Sequence, residues 1–218
     1  MTFLKNLPLL IFDLDGTLID SAKDIHSAIN EMLWKHKKAS VDYPTLVSHI
    51  GDGLIKLVHD FFPEYAIDSD ENLQKVNEFL TIYETNMTEH TQLYPGVVEF
   101  LESYQGPKAI VTNKSIHPTV KILNHFQIYK LPWVDVIGGD SLPERKPSAL
   151  PLLHVMKKAG MTAAQTWMIG DGRPDMQSAI AASCCKVAVH YGYSKPAELE
   201  IFKPEHILKK FSDLNALF

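Results

Sequence analysis

Asp13 and Asp15 stand two residues apart at the end of an apolar run, in Ile11-Phe12-Asp13-Leu14-Asp15-Gly16-Thr17-Leu18. The run begins at Leu9, and a wholly apolar segment that ends in charge is the pattern of a buried parallel strand with a reactive carboxyl end. Side chains two apart on a strand share a face, so both carboxylates can point into one site. Like charges held side by side need a cation between them or a proton on one of them. The stretch therefore reads as a metal site or an acid/base pair.

Two further apolar runs end in polar groups. Lys108–Val111 leads into Thr112 and Asn113, and residues 166–169 lead into Gly170-Asp171-Gly172-Arg173-Pro174-Asp175. Ligands of open α/β sheets bind outside the carboxyl ends of the strands, so three such ends point to one site. Asp13 is the candidate nucleophile, since a carboxylate can accept a phosphoryl group. Asp15 is the candidate general acid/base, protonating a leaving alcohol and then activating water. Asp13, Asp171 and a phosphate in one cleft call for a hard dication, and oxygen-only ligands suit Mg²⁺. Asp171 is the expected direct ligand, with Asp175 binding through water or orienting its neighbours. Thr112 offers a hydroxyl and Asn113 a backbone N–H to phosphate oxygens, and Lys146 in Arg145-Lys146-Pro147 offers positive charge. Lys114 and Arg173 read as solvated.

The elements that must position these groups follow from periodicity. Ser21 is placed to cap a helix over 21–36, with Ile25, Ala28, Ile29, Met32 and Leu33 at helical spacing. Leu54, Leu57, Val58 and Phe61 suggest a short helix ending before Pro63, and a longer one is expected over 69–89. No buried strand is evident over 21–90, so this is a helical block inserted after the first strand. From Tyr94-Pro95-Gly96 onward, strands at Lys108–Val111, Trp133–Ile137, 166–169 and 186–189 alternate with helices near 118–126, 148–158 and 175–182. That alternation predicts a parallel sheet wrapped by helices. The tail, 196–218, is expected to add a short helix, an edge strand near Ile207 and a final helix.

Composition narrows the class. Hydrophobic residues at 45% and charged residues at 22% are those of a globular protein, and a formal charge of -5 leaves no basic footprint for nucleic acid. Met1 to Pro8 reads as neither signal peptide nor membrane span, and no later stretch is apolar for long enough to cross a membrane. Cys184 and Cys185 are adjacent and point to opposite faces of a strand, so they read as reduced thiols in a cytoplasmic protein. The ten histidines show no paired spacing for zinc, and Trp34, Trp133 and Trp167 are expected to pack cores. Gly51 and Gly53 read as a loop that closes on substrate or as a plain turn between helices.

In order along the chain, FDLDGTL, VTN, RKP and IGDGRPD resemble the four motifs of the haloacid dehalogenase superfamily. The helical block resembles that superfamily's class-1 cap, and DGTLIDS, Gly51-Asp52-Gly53 and Gly138-Gly139-Asp140 are most similar to phosphoglycolate phosphatase-like members. The resemblance implies an α/β fold: a Rossmann-like core (1–20 and 91–218) carrying an all-helical cap domain (21–90). It implies Mg²⁺ and phosphoryl transfer from a small phosphorylated metabolite through Asp13, with Asp15 as acid/base. It also implies a metal set of Asp13, Asp15, Asp171 and Asp175, in which Asp15 contributes its backbone carbonyl. Two positions depart from the pattern: Ala149 replaces a common proline after Lys146-Pro147, and Gly172 and Pro174 replace more polar residues. Gly16-Thr17 favours a phosphatase over a sugar-phosphate mutase, whose relatives more often carry Gly-Val. A dehalogenase would need neither Asp15 nor metal, and a phosphonatase would need a cap lysine that nothing singles out. A non-catalytic phosphate-binding protein would be expected to have lost one of these groups, and all are present.

Overall fold

The structure is a computed structural model that describes residues 7–218, so most of the Met1 to Pro8 reading lies outside the described residues. Leu9–Phe12 forms β1, four fully buried apolar residues. Its alternate side chains serve two separate cores: Leu10 and Phe12 enter one apolar cluster, and Leu9 and Ile11 enter another. This two-sided burial makes the run continuously apolar rather than alternating. Each such side chain contributes roughly 1.5–3 kcal/mol relative to an exposed one.

After β1 the chain makes a short strand, β2 (Ile19–Asp20), and enters four helices: α1 (Ala22–Lys35), α2 (Tyr43–Val47), α3 (Leu54–Phe61) and α4 (Asp70–Asn86). It returns through β3 (Gln92–Leu93), which pairs antiparallel with β2. This ribbon and α2 were not expected from the sequence. A two-residue strand has no measurable period, and Pro44, a residue that usually interrupts helices, sits in the first turn of α2, where its missing N–H costs nothing. Asp42 caps α2 by accepting from the Thr45 N–H at 2.8 Å, and Ser69 caps α4 by accepting from the Asn72 N–H at 3.1 Å.

The remainder runs α5 (Val97–Ser103), β4 (Lys108–Val111), α6 (Ile116–His125), β5 (Trp133–Ile137), α7 (Leu150–Ala159), β6 (Thr166–Gly170), α8 (Arg173–Ala181), β7 (Cys185–Val189), α9 (Pro196–Glu200) and β8 (His206–Leu208). The expected final helix is a 3₁₀ segment, Phe211–Ala216. Six strands form one parallel sheet in the order β5-β4-β1-β6-β7-β8. β1 therefore lies between β4 and β6, and the carboxyl ends of these three neighbours deliver Asp13, Thr112 and Asp171 to one edge. That confirms the α/β parallel sheet.

The helices of the insert are not isolated from the sheet: Ile25, Ile29, Leu57, Val58 and Phe79 belong to the same buried cluster as Phe12. Trp34, expected in a core, is 75% exposed on α1, because the apolar stripe of that helix faces away from it. Trp133 and Trp167 do pack against the core. Both cysteines are free, and among the described residues no helix is long and apolar enough to cross a membrane.

Phe100 on α5 anchors an aromatic group, with its ring 6.4 Å from Phe12, 5.7 Å from Phe211 and 5.4 Å from Tyr104. Truncation would leave a cavity that such rings cannot close. Phe100→Ala is expected to lower the free energy of unfolding in urea by about 3–5 kcal/mol; a loss below about 1 kcal/mol would show that this cluster does not hold the sheet to its helices.

Candidate functional site

Asp13 is the first residue beyond β1, Asp171 the first beyond β6, and Asp175 lies in the opening turn of α8. One carboxylate oxygen from each lies within 4.8 Å of the others. Lys146 enters between them: its Nζ pairs with Asp13 Oδ1 at 3.0 Å and donates to Asp175 Oδ1 and to the Val111 carbonyl, each at 2.6 Å. The ammonium is thus taken up by protein groups, and the charge expected at the phosphate bears first on Asp13 and Asp175. Asp175 also accepts from the Gly172 N–H at 2.9 Å, so it caps α8 and serves the cluster together. Pro174 sits in the first turn, as expected of a proline at a helix start, and Arg173 is exposed, as expected.

Asp171 is fixed by two groups that sequence reasoning missed. Thr17 Oγ1 donates to it at 2.9 Å, and the Tyr193 N–H at 2.8 Å. Tyr193 in turn accepts at its hydroxyl from the Ser21 and Ala22 N–H groups at 2.7 and 3.1 Å. Tyr191 donates to the Thr17 carbonyl at 2.8 Å. The loop after β7 therefore clamps the loop after β1. Gly16 makes the close approach possible: its φ is +78°, and a Cβ there would meet Asp171 Oδ2 at 2.1 Å.

Asp15 is turned away from the three-carboxylate cluster. The Ser21 hydroxyl, expected to cap α1, donates to Asp15 Oδ1 instead. Lys114 Nζ lies 3.2 Å from both Asp15 oxygens and donates to the Tyr83 hydroxyl at 2.8 Å. The reading of Lys114 as solvated is therefore wrong, since its side chain is only 8% exposed. Its place two residues beyond Thr112, on the strand-end loop, was the available signal. Nothing in the sequence marked Tyr83, which comes from α4.

Thr112 and Asn113 are buried at the end of β4. The Thr112 hydroxyl accepts from the Lys114 N–H at 3.2 Å. The Asn113 side chain, beyond the backbone N–H expected to act, donates to the Lys146 carbonyl and to the Gly51 carbonyl, each at 3.0 Å. It thereby joins the core to the glycine loop of the insert. The cleft between them encloses about 760 Å³ including its mouth. Asp13, Asp15, Thr112, Asn113, Asp171 and Asp175 line its floor, while His49, Leu54, Phe79 and Tyr83 are among the residues the insert contributes.

A family model described as haloacid dehalogenase-like hydrolase matches residues 10–189. The chain is 36% identical over 208 residues to the phosphoglycolate phosphatase of Chromobacterium violaceum, covering 90% of each chain. It is 34% identical over 222 residues to that of Colwellia psychrerythraea, covering 97% of this chain and 96% of the relative. Among solved structures, a predicted phosphoglycolate phosphatase from Haemophilus somnus superposes with a TM-score of 0.88 at 31% identity, covering 97% of both chains.

The electrostatics of the cluster suit a cation. Burial, then Asp13 and Asp175, push the Asp171 carboxyl well above the ordinary carboxylate range, against the hydrogen bonds from Tyr193 and Thr17. Burial and Asp13 raise Asp175 to about 7, although Lys146 opposes the shift. Burial works against charge on Lys146, but Asp13 and Asp175 outweigh it and raise its pKa. One ammonium does not neutralise three carboxylates, and an oxygen-only donor set of this size suits a hard dication. Without cation, the folded state holds these protons more tightly than the unfolded chain, whose carboxyls titrate near 3.8. Its stability therefore falls as pH rises from there through about 7. A dication binds the ionised form and removes that loss. The difference in Tm between Mg²⁺ and EDTA is thus expected to be several degrees larger at high pH than at low pH, read by scanning calorimetry. A difference that shrinks with rising pH would mean the cluster does not hold the ion.

Proposed function

The chain belongs to the haloacid dehalogenase-like hydrolases, and on that premise we propose that it is a Mg²⁺-dependent phosphatase of small phosphorylated metabolites, phosphoglycolate first among them. The observation that carries this reading is the separation of two aspartates of one motif into two environments. Asp13 faces Lys146 and the carboxylate cluster, whereas Asp15 faces Ser21 and Lys114. Groups of one chemical type in unlike surroundings can take unlike roles in one reaction.

In the reading we favour, an Asp13 oxygen attacks phosphorus and the ester P–O bond breaks. Asp15 delivers its proton to the departing alcohol oxygen. Water then attacks the aspartyl-phosphate, Asp15 takes the water's proton, and phosphate leaves Asp13 as a carboxylate. Asp13 is held for this by the Leu14 N–H at 2.7 Å and by Lys146. Thr112 and the Asn113 backbone N–H stand at the neighbouring strand end, where phosphoryl oxygens need donors. Mg²⁺ would be held by Asp13, Asp171, Asp175 and the Asp15 carbonyl, and would supply positive charge against the phosphoryl oxygens. The helical insert, which we take as a cap over 21–90, roofs the cleft with apolar side chains such as Leu54 and Phe79 and so limits bulk water.

Phosphate release from a panel of phosphorylated metabolites, with and without Mg²⁺, tests the reading. Release is expected only with the metal, with phosphoglycolate preferred. Asp13→Asn is expected to lower kcat by about 10⁴-fold or more, as loss of a nucleophile does. Acid-quenched wild-type enzyme should carry label from radiolabelled substrate that hydroxylamine releases. Full activity in Asp13→Asn would exclude the aspartyl-phosphate.

A further inference from the structure

Lys114 is a buried cation that the chemistry above leaves without a task. It lies outside the carboxylate cluster, and its ammonium is spent on three atoms, both Asp15 oxygens and the Tyr83 hydroxyl. Its backbone is pinned on both sides: its N–H donates to Thr112 Oγ1 at 3.2 Å, and its carbonyl accepts from the Gly139 N–H at 2.8 Å. Tyr83 is equally fixed. Its ring stacks on Phe79 at 5.4 Å, lies 4.7 Å from the Lys114 ammonium, and is 3% exposed. On the other side of Asp15, the Ser21 hydroxyl comes from the residue that opens α1, which packs along α4. Asp15 is thus held from two directions, and the insert takes part in both.

We propose that Lys114 and Tyr83 are positioning residues for Asp15: the ammonium, anchored on the Tyr83 hydroxyl of α4, holds the Asp15 carboxyl where a leaving-group oxygen meets it. Proton transfer then depends on the insert being seated, because only then does Lys114 have its third partner. The proposal rests on Asp15 acting as the acid in the phosphatase reading. The step it governs is the first one, in which the Asp13–phosphorus bond forms, the ester P–O bond breaks and the Asp15 proton passes to the departing oxygen. An alkoxide leaving group needs that proton, whereas a nitrophenolate leaves without it.

The test is kcat/KM, which reports this first step and not the later hydrolysis, for phosphoglycolate, glycerol 3-phosphate and p-nitrophenyl phosphate. Lys114→Met is expected to lower it about 10²-fold for both alkyl esters, the low end of general acid effects, and far less for the aryl ester. Tyr83→Phe, which keeps the ring and its stacking, should show the same selectivity at smaller size and covers the case in which Lys114→Met folds poorly. Equal losses on all three esters, or none, would overturn the proposal. A loss confined to phosphoglycolate would overturn it too, since Lys114 would then be reading the substrate carboxylate. Asp15→Asn separates the two levels of inference. If it fails to discriminate among the esters, Asp15 is not the acid; if it discriminates and both Lys114→Met and Tyr83→Phe do not, the Lys114 proposal alone falls.

Discussion

Three carboxylates share one buried edge of the sheet with a single ammonium, and the surrounding residues are arranged around that excess of negative charge. Burial removes the water that would screen Asp13, Asp171 and Asp175, so their repulsion is felt in full unless a proton or a cation relieves it. Lys146 offsets part of it. Thr17 and the Tyr193 N–H offset more at Asp171. Gly192 stands beside Asp171 for a steric reason, since a Cβ there would come within 2.3 Å of it. A hard cation bound there would relieve the same repulsion.

The sheet makes this concentration of charge tolerable. β1 is flanked by β4 and β6, so their strand-end groups converge without any loop having to reach far. The apolar residues of β1 are shared between two cores, one on each face. A strand buried on both sides is a rigid mount, and a side chain directly after it, here Asp13, inherits that rigidity. Asp15, two residues on, has left the strand, and the alternation that would align it with Asp13 no longer applies. The turn is closed instead by Gly16 N–H donating to the Ile19 carbonyl at 2.8 Å, and the Asp15 side chain meets Ser21 and Lys114.

The insert meets the core through polar contacts as well as a shared apolar cluster. Asn113 reaches the Gly51 carbonyl, Lys114 reaches Tyr83, and Glu84 accepts from Lys121 at 2.7 Å and pairs with His117 at 2.8 Å. The two exposed partners of Glu84 contribute little in water, because solvent screens them. The buried Asn113 and Lys114 contacts carry more, since neither donor can turn to solvent when its partner moves.

The sequence by itself determined the fold class, the sheet's strands and the carboxylates at their ends. Those features depend on local pattern: continuous apolar runs for two-sided strands, helical spacing for the insert, and polar residues directly after Val111 and Gly170. The motif order in FDLDGTL, VTN, RKP and IGDGRPD added the family, because four short signals in sequence constrain one another. Only the tertiary structure decided that Lys114 is buried against Asp15 rather than solvated, that Ser21 serves Asp15 rather than its own helix, and that Trp34 faces outward. It also brought Tyr83, Tyr191 and Tyr193 to the site from distant segments. The physical reason is common to all of these. Periodicity says which side of an element is apolar, whereas a polar side chain's partner depends on which other element packs there, and that is fixed only when the whole chain closes.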